Sequence, residues 1–268
     1  MVLFKDYIKL GISDTDFLTC HLNGDFLVLQ AANGGFLMAL LLASLKTVGS
    51  KNGDCLSLQC AFLHSCKPGP VQIRVHLEKK GRELSWYTCC IFQNERKCLL
   101  GTAVFGRLAT ENAIRGNFDS CIDSCVVFKP PERPFWQRYQ FKFSETDLAT
   151  WKHMSGVEKL PHPPVPSLSI FMAHEDEEYV TEESMLAFCD AAIPLVKAAT
   201  EFGDMSWVPS LFFDVKFHAK PKDLLWVLCI LNLKTNDGKY VTEECNIYDP
   251  NSKQLLCTTT QHGLRTKL

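Results

Sequence analysis

The sequence predicts an α+β protein written twice: two tandem curved antiparallel sheets, each wrapped around one long central helix. Three observations lead there. The runs TCCIFQNERKCLLGTAVFGRL (88–108) and ECNIYDPNSKQLLCTTTQHGL (244–264) overlay without a gap at an offset of 156 and share Cys, Ile, Lys, Leu, Leu, Thr and Leu at matching positions. A repeat of that length, well above solenoid periods, indicates a duplicated domain. Each half also carries one helix that is apolar on most sides, over 35–46 and 183–201, and strand patterns follow each helix. Such a helix needs a sheet curved around it to bury its whole circumference.

Taken in order, the first helix begins at Asn33-Gly34-Gly35 and runs through FLMALLLASLK. VQIRVHL (71–77) alternates apolar and polar residues, as a half-buried strand does, and LSWYTCCIF (84–92) is more continuously apolar. A hairpin glycine, Gly81, separates them, and Gly238 stands 157 residues further on between LLWVLCILNL (224–233) and YVTEECNIY (240–248). Phe62-Leu63-His64 resembles Lys216-Phe217-His218, each followed by a proline, which suggests a structural histidine at a strand bend in both halves. The polar, then proline-rich stretch 109–134 holds the boundary: an N-terminal domain 1–115, a linker 116–133 and a C-terminal domain 134–268. PHPPVP (161–166) reads as an irregular loop before the second helix.

Composition narrows the function. The chain has 268 residues, 46% apolar and 22% charged, with a net charge of −2. That balance suits a soluble globular protein and offers no long-range attraction to nucleic acid or an anionic membrane. The longest apolar run, 36–45, is too short to span a bilayer. Thirteen cysteines, an odd number, without a signal-peptide layout at the N-terminus point to a reducing compartment, where the thiols serve as small core residues. No paired Cys-x-x-Cys or His-Glu-x-x-His occurs, so no metal site is expected; neither a Walker nor a dinucleotide glycine pattern is present.

The candidate site residues are polar groups in places that should be apolar. Asp190 sits in AFCDAAIPL, where an unpaired carboxylate would cost several kcal/mol to bury. Pro194 crowds the carbonyl four residues back, that of Asp190 itself, so Asp190 is either a site residue or a cap where the helix restarts after a kink. Gln261 stands where the first copy has Phe105, and it needs partners for both an amide donor and an acceptor unless it faces water. The best overlay of the helices puts Asn33 opposite Asp190. Asn33, Gly34 and Gly35 are candidate substrate-binding residues: the glycines let a ligand approach the helix N-terminus, whose free amides could polarise a carbonyl, while Asn33 could equally be the helix cap. Ser210 follows Pro209 and reads as a turn hydroxyl or a site residue; without a Gly-x-Ser-x-Gly elbow it does not read as a nucleophile.

The helix-in-sheet halves, NGGFLMALL (33–41) and CTTTQHGLR (257–265), resemble the acyl-CoA thioesterases of the TesB type over nearly the whole chain. That resemblance implies a double hot dog fold and hydrolysis of a fatty or related acyl thioester to free acid and coenzyme A. It implies catalytic roles for an Asp in the second helix, a Thr or Ser at the start of the next strand and a Gln in the last strand, here Asp190, Ser210 and Gln261. No cofactor is implied, since coenzyme A is part of the substrate. The acyl chain would lie near Phe188, Trp207 and Phe212. The alternatives are a hot dog dehydratase or hydratase and a non-catalytic acyl-binding module. A fused pair already supplies the two-fold interface of single hot dogs and leaves further homo-oligomerisation open. The C-terminal Thr-Lys-Leu differs by one residue from the Ser-Lys-Leu peroxisomal signal, so the expected location is cytoplasmic or peroxisomal.

Overall fold

The computed structural model describes residues 3–12, 17–49, 53–108, 113–118, 121–130, 134–160, 167–199 and 208–266. Trp207, the PHPPVP segment and the last two residues of Thr-Lys-Leu lie outside the described residues.

In chain order the elements are α1 (Phe4–Tyr7), β1 (Gly11–Ile12), β2 (Leu18–Leu22), β3 (Leu27–Val28), β4 (Ala31–Ala32), α2 (Gly34–Gly49), β5 (Asp54–Phe62), β6 (Gly69–Lys80), β7 (Ser85–Gln93) and β8 (Arg96–Gly106). Then come β9 (Val126–Val127), β10 (Tyr139–Phe143), α3 (Glu145–Met154), β11 (Ser167–His174), α4 (Glu182–Cys189), β12 (Ser210–Phe217), β13 (Val227–Asn236), β14 (Tyr240–Tyr248) and β15 (Leu255–Leu264). Each half has the same strand order, β2-β6-β7-β8-β5 in the first and β11-β13-β14-β15-β12 in the second. The expectation of two separate sheets gives way to one. β5 pairs antiparallel with β12, Leu58 opposite Val215, and fuses the halves into a 13-stranded sheet. Both strands bury alternate apolar residues and satisfy their backbone groups on both edges, which removes two free sheet edges.

The helices differ from their expected lengths. α2 covers Gly34–Gly49 and is buried along nearly its whole length. In the second half, where the sequence predicts a long helix over 183–201, the α-helix is two turns that stop at Cys189, a 3₁₀ turn follows at Leu195–Ala199, and 200–201 lie outside the described residues. Pro194 is the cause: it lacks an N–H and crowds the Asp190 carbonyl, so the helix cannot run through. α2 and α4 pack antiparallel. Gly35 lies against Leu186 and Asp190, and Lys46 at the far end of α2 bonds Glu182 and Glu183 at the start of α4, at 2.6 and 2.7 Å. Thr181 caps α4 through its hydroxyl, which accepts from the Ser184 amide at 3.1 Å.

The repeat holds in the structure with two adjustments. Leu58 pairs with Ala103 and Val215 with Thr259, so β5 and β12 correspond at an offset of 157. His218 therefore matches Ala61, not His64, and the two histidines bond different groups, Thr258 Oγ1 and the Lys97 carbonyl. Asn33 and Asp190 are likewise not fold equivalents: one precedes α2, the other ends α4. The stretch between the halves runs back over the second: Gly116 donates to the Lys253 carbonyl at 2.9 Å, and the Phe118 ring packs on Tyr248.

Candidate functional site

The break in the second helix and the start of the first meet at one point. Asn33 caps α2, its Oδ1 accepting from the Phe36 amide at 3.0 Å. Its Nδ2 then faces away from α2 and donates to both the carbonyl oxygen and Oδ2 of Asp190, each at 2.9 Å. The carbonyl released from helical bonding by Pro194 thus finds its donor 157 residues upstream. Oδ2 of Asp190 also accepts from the Gly35 amide at 2.9 Å. Asp190 is a cap after all, but of the other helix: its carboxylate sits on the N-terminus of α2, where free amides and the helix dipole favour negative charge.

Glycine is required at 35 for this approach. A Cβ there would lie 2.4 Å from the Leu186 carbonyl oxygen and 2.9 Å from Asp190 Cβ. At Gly34 a Cβ would meet Asp190 Oδ2 and Phe62 at 3.0 Å.

The third element is β15. Gln261 pairs with Phe213 on β12 and Glu243 on β14, just as Phe105 pairs with Cys55 and Ser85 in the first half. Phe105 is fully buried, whereas Gln261 is partly exposed in a cavity and donates through Nε2 to Ser210 Oγ at 2.6 Å and Asp190 Oδ1 at 3.3 Å. Ser210 opens β12 at a bulge, between its pairing with Gly263 and that of Phe212 with His262. Bulges re-aim side chains, and this one points a hydroxyl at the cavity. Since Gln261 gives a proton to Ser210 Oγ, the serine's own hydroxyl proton is left to donate elsewhere.

Burial raises the Asp190 carboxyl to about 6, against the opposing pull of the Gly35 and Gly34 amides, Asn33 and Gln261. The group therefore stays ionised at neutral pH yet is a stronger base than a free aspartate.

These residues border a cavity of about 520 Å³. Asn33, Gly34, Asp190, Ser210 and Gln261 line it; Gly35 does not, and its amide is held by Asp190. The apolar wall is Phe213, Trp136, Trp151, Met154, Ile193 and Leu231. Of the residues expected to line the acyl path, Phe188 and Phe212 fall elsewhere, and Trp207 lies outside the described residues. Phe188 is buried among Tyr139 and His174, and Phe212 is 54% exposed and does not line this cavity. The alternation put Phe212 and Phe213 on opposite faces, and only the pairing of β12 shows which face is inside.

Glu243 is a cavity residue that was missed. It is only 7% exposed, and its Oε1 accepts from the Val196 amide at 3.0 Å. The signal was available: in YVTEECNIY it shares its parity with Val241, Cys245 and Ile247, all buried. Among the described residues no group of three or more His, Cys, Asp or Glu converges as metal ligands, and no helix is long and apolar enough to cross a membrane.

Comparison with known proteins gives this geometry a context. A search of curated proteins returns no match. Solved structures with the same fold include a conserved protein of unknown function with a hot dog fold from Alicyclobacillus acidocaldarius, 18% identical, with a TM-score of 0.82, covering 99% of this chain and 98% of that one. The acyl-CoA thioesterase II TesB2 from Mycobacterium marinum is 14% identical, with a TM-score of 0.74 and coverage of 99% and 98%. The tesB protein of Mycobacterium avium subspecies paratuberculosis is 13% identical, with a TM-score of 0.73 and coverage of 98% of each chain. At these identities the likeness is one of fold. The sequence itself matches the model of the acyl-CoA thioesterase N-terminal domain over residues 24–106 and that of the C-terminal domain over 123–265. This chain belongs to the acyl-CoA thioesterase family.

Proposed function

We propose that the protein hydrolyses acyl-CoA thioesters, with Asp190 as the general base. One observation carries the reading: a cavity-facing carboxylate is fixed on the N-terminus of α2 through Oδ2, while Oδ1 is met by Gln261 through a long 3.3 Å bond. Water bonded to Oδ1 would lose its proton there as its oxygen attacks the thioester carbon. The tetrahedral intermediate then collapses, the carbon–sulfur bond breaks and the thiolate of coenzyme A leaves. A thiol with a pKa of about 8.5 leaves readily, so a strong general acid at sulfur is not required. Ser210 orients the water with its remaining hydroxyl proton.

The Gly35 amide, engaged by Asp190, is not available to a substrate carbonyl; Gln261 takes that role by turning the Nε2 proton of its long 3.3 Å bond from Asp190 Oδ1 to the carbonyl oxygen as water occupies Oδ1. Asn33, Gly34 and Gly35 support the reaction mainly by holding the base, and Gly34 also borders the path of the acyl group. The reaction consumes only water, and coenzyme A is the leaving half of the substrate. We read the chain as two hot dog units, 1–115 and 134–268, joined by 116–133; the two family models, 24–106 and 123–265, support that division.

The test is release of free thiol from a panel of acyl-CoA substrates, read beside absorbance at the enoyl wavelength. Thiol release that falls at least tenfold in Ser210→Ala supports the scheme. Enoyl formation without thiol would make the protein a dehydratase, and binding without either product an acyl-binding module.

A further inference from the structure

The hydrolytic scheme leaves one buried carboxyl group of the cavity without a task. Glu243 lies directly across the antiparallel ladder from Gln261. Residues opposite one another in such a pair project from the same face with Cβ atoms about 5 Å apart. Gln261 reaches Asp190 from that face, so Glu243 borders the cavity close to the reacting end. Its position is held: the Val196 amide donates to Oε1 at 3.0 Å, which ties β14 to the 3₁₀ turn at Leu195–Ala199. The first half has Ser85 opposite Phe105 at the matching place, so fold and packing do not demand an acid there. Burial, the Asp190 charge adding to it, raises the Glu243 carboxyl to about 7 against the Val196 and Leu195 amides, so much of it is ionised at neutral pH.

A carboxylate beside an acyl channel discriminates between chains. A plain alkyl chain laid against it removes its water and offers nothing in return, which is costly for a buried charge. A hydroxyl on the chain replaces that water with a charge-assisted hydrogen bond. We propose that Glu243 is a specificity-determining residue that accepts a hydrogen bond from a hydroxyl on the acyl chain near the thioester, making hydroxyacyl thioesters the preferred substrate class. The proposal rests on the thioesterase reading and adds no bond-making step to it.

The test compares hexanoyl-CoA, 3-hydroxyhexanoyl-CoA and 6-hydroxyhexanoyl-CoA in the wild type and in Glu243→Leu, reading free thiol. In the wild type, kcat/KM for the 3-hydroxy substrate should exceed that for hexanoyl-CoA by about tenfold or more, the range of a hydrogen bond to a charged group, while the 6-hydroxy substrate behaves like hexanoyl-CoA. In Glu243→Leu the preference should vanish because hexanoyl-CoA improves. Equal kcat/KM for all three in the wild type overturns the proposal, and that comparison stands even where the variant does not fold. A variant that loses activity on all three in one ratio also overturns it, because Glu243 is then only structural. Were the wild type to hydrolyse none of them, the thioesterase reading would fall. Titration of Trp136 and Trp151 fluorescence with the same thioesters would then still report the preference: tighter binding of the 3-hydroxy compound upholds the role of Glu243, and equal binding overturns it.

Discussion

Replacing Asp190 with asparagine separates what the carboxylate does for chemistry from what it costs the fold. The side chain keeps its size, and an amide oxygen can still accept from Asn33 Nδ2 and the Gly35 amide. The new NH₂ then faces Gln261 Nε2, donor against donor, and Gln261 keeps only Ser210. Loss of a positioned general base lowers turnover by about 10²–10⁴-fold, which is about 3–5 kcal/mol of barrier. The wild-type carboxyl titrates at about 6, so turnover should fall through that pH and then drop about tenfold per unit of further acidification. The asparagine variant should lack this limb.

Stability moves the other way. The folded pKa lies above the unfolded value of about 3.9, so the folded state binds the extra proton. Asp190's contribution is therefore fully present below about pH 4 and lost as pH rises through about 6. Two pKa units correspond to about 3 kcal/mol at most, and screening by the solvent that reaches this partly buried residue reduces that to about 1–2 kcal/mol. Asp190→Asn should thus gain about that much stability over the wild type between pH 4 and pH 8. Thiol release measured from pH 4.5 to 9, with thermal melts at pH 4 and 8, checks both limbs. A wild-type profile centred near 4, or an asparagine variant that keeps a tenth of the turnover together with the acid limb, would refute the assignment.

Gln261→Phe copies the first half at a place where Phe105 is fully buried, so the variant should fold with a melting temperature near the wild type and lose at least tenfold in kcat; retained turnover would remove Gln261 from the site. Gly35→Ala drives a methyl group into the Leu186 carbonyl and Asp190 Cβ, so it should cost about 1–3 kcal/mol in urea unfolding and lower kcat as well, since α2 and α4 must part where the base is held. Lys46→Met leaves Glu182 and Glu183, 7% and 8% exposed, without their cation and should cost about 3–5 kcal/mol. Below its unfolding temperature that variant should keep the wild-type pH–rate profile, because the ion pairs lie at the opposite end of α2 from Asp190.

Much of this was legible in the residues. Period-two alternation located β14 at Tyr240–Tyr248 to the residue, because alternation records which side chains are buried, and burial is a local demand on each position. Asp190 and Gln261 announced themselves as polar groups in apolar surroundings, and Pro194 signalled a kink beside Asp190, since a missing N–H and a steric clash act within one turn; that the α-helix ends there instead of running on was decided only in the fold. The same alternation placed Glu243 on the buried face, but a charge in a strand of mixed polarity does not stand out until the far side of that face is known to be a cavity.

The sequence by itself determined the duplication, the strands that follow each central helix, and which polar residues needed an explanation, because these follow from short-range periodicity and backbone sterics; the strands ahead of each helix and α3 were not legible in it. Only the tertiary structure decided that Asp190 caps the other helix, that Asn33 supplies the donor its carbonyl lost, and that β5 joins β12 in one sheet. Those contacts link residues more than 150 positions apart, and a hydrogen bond depends on distance and angle in space, which no spacing along the chain encodes.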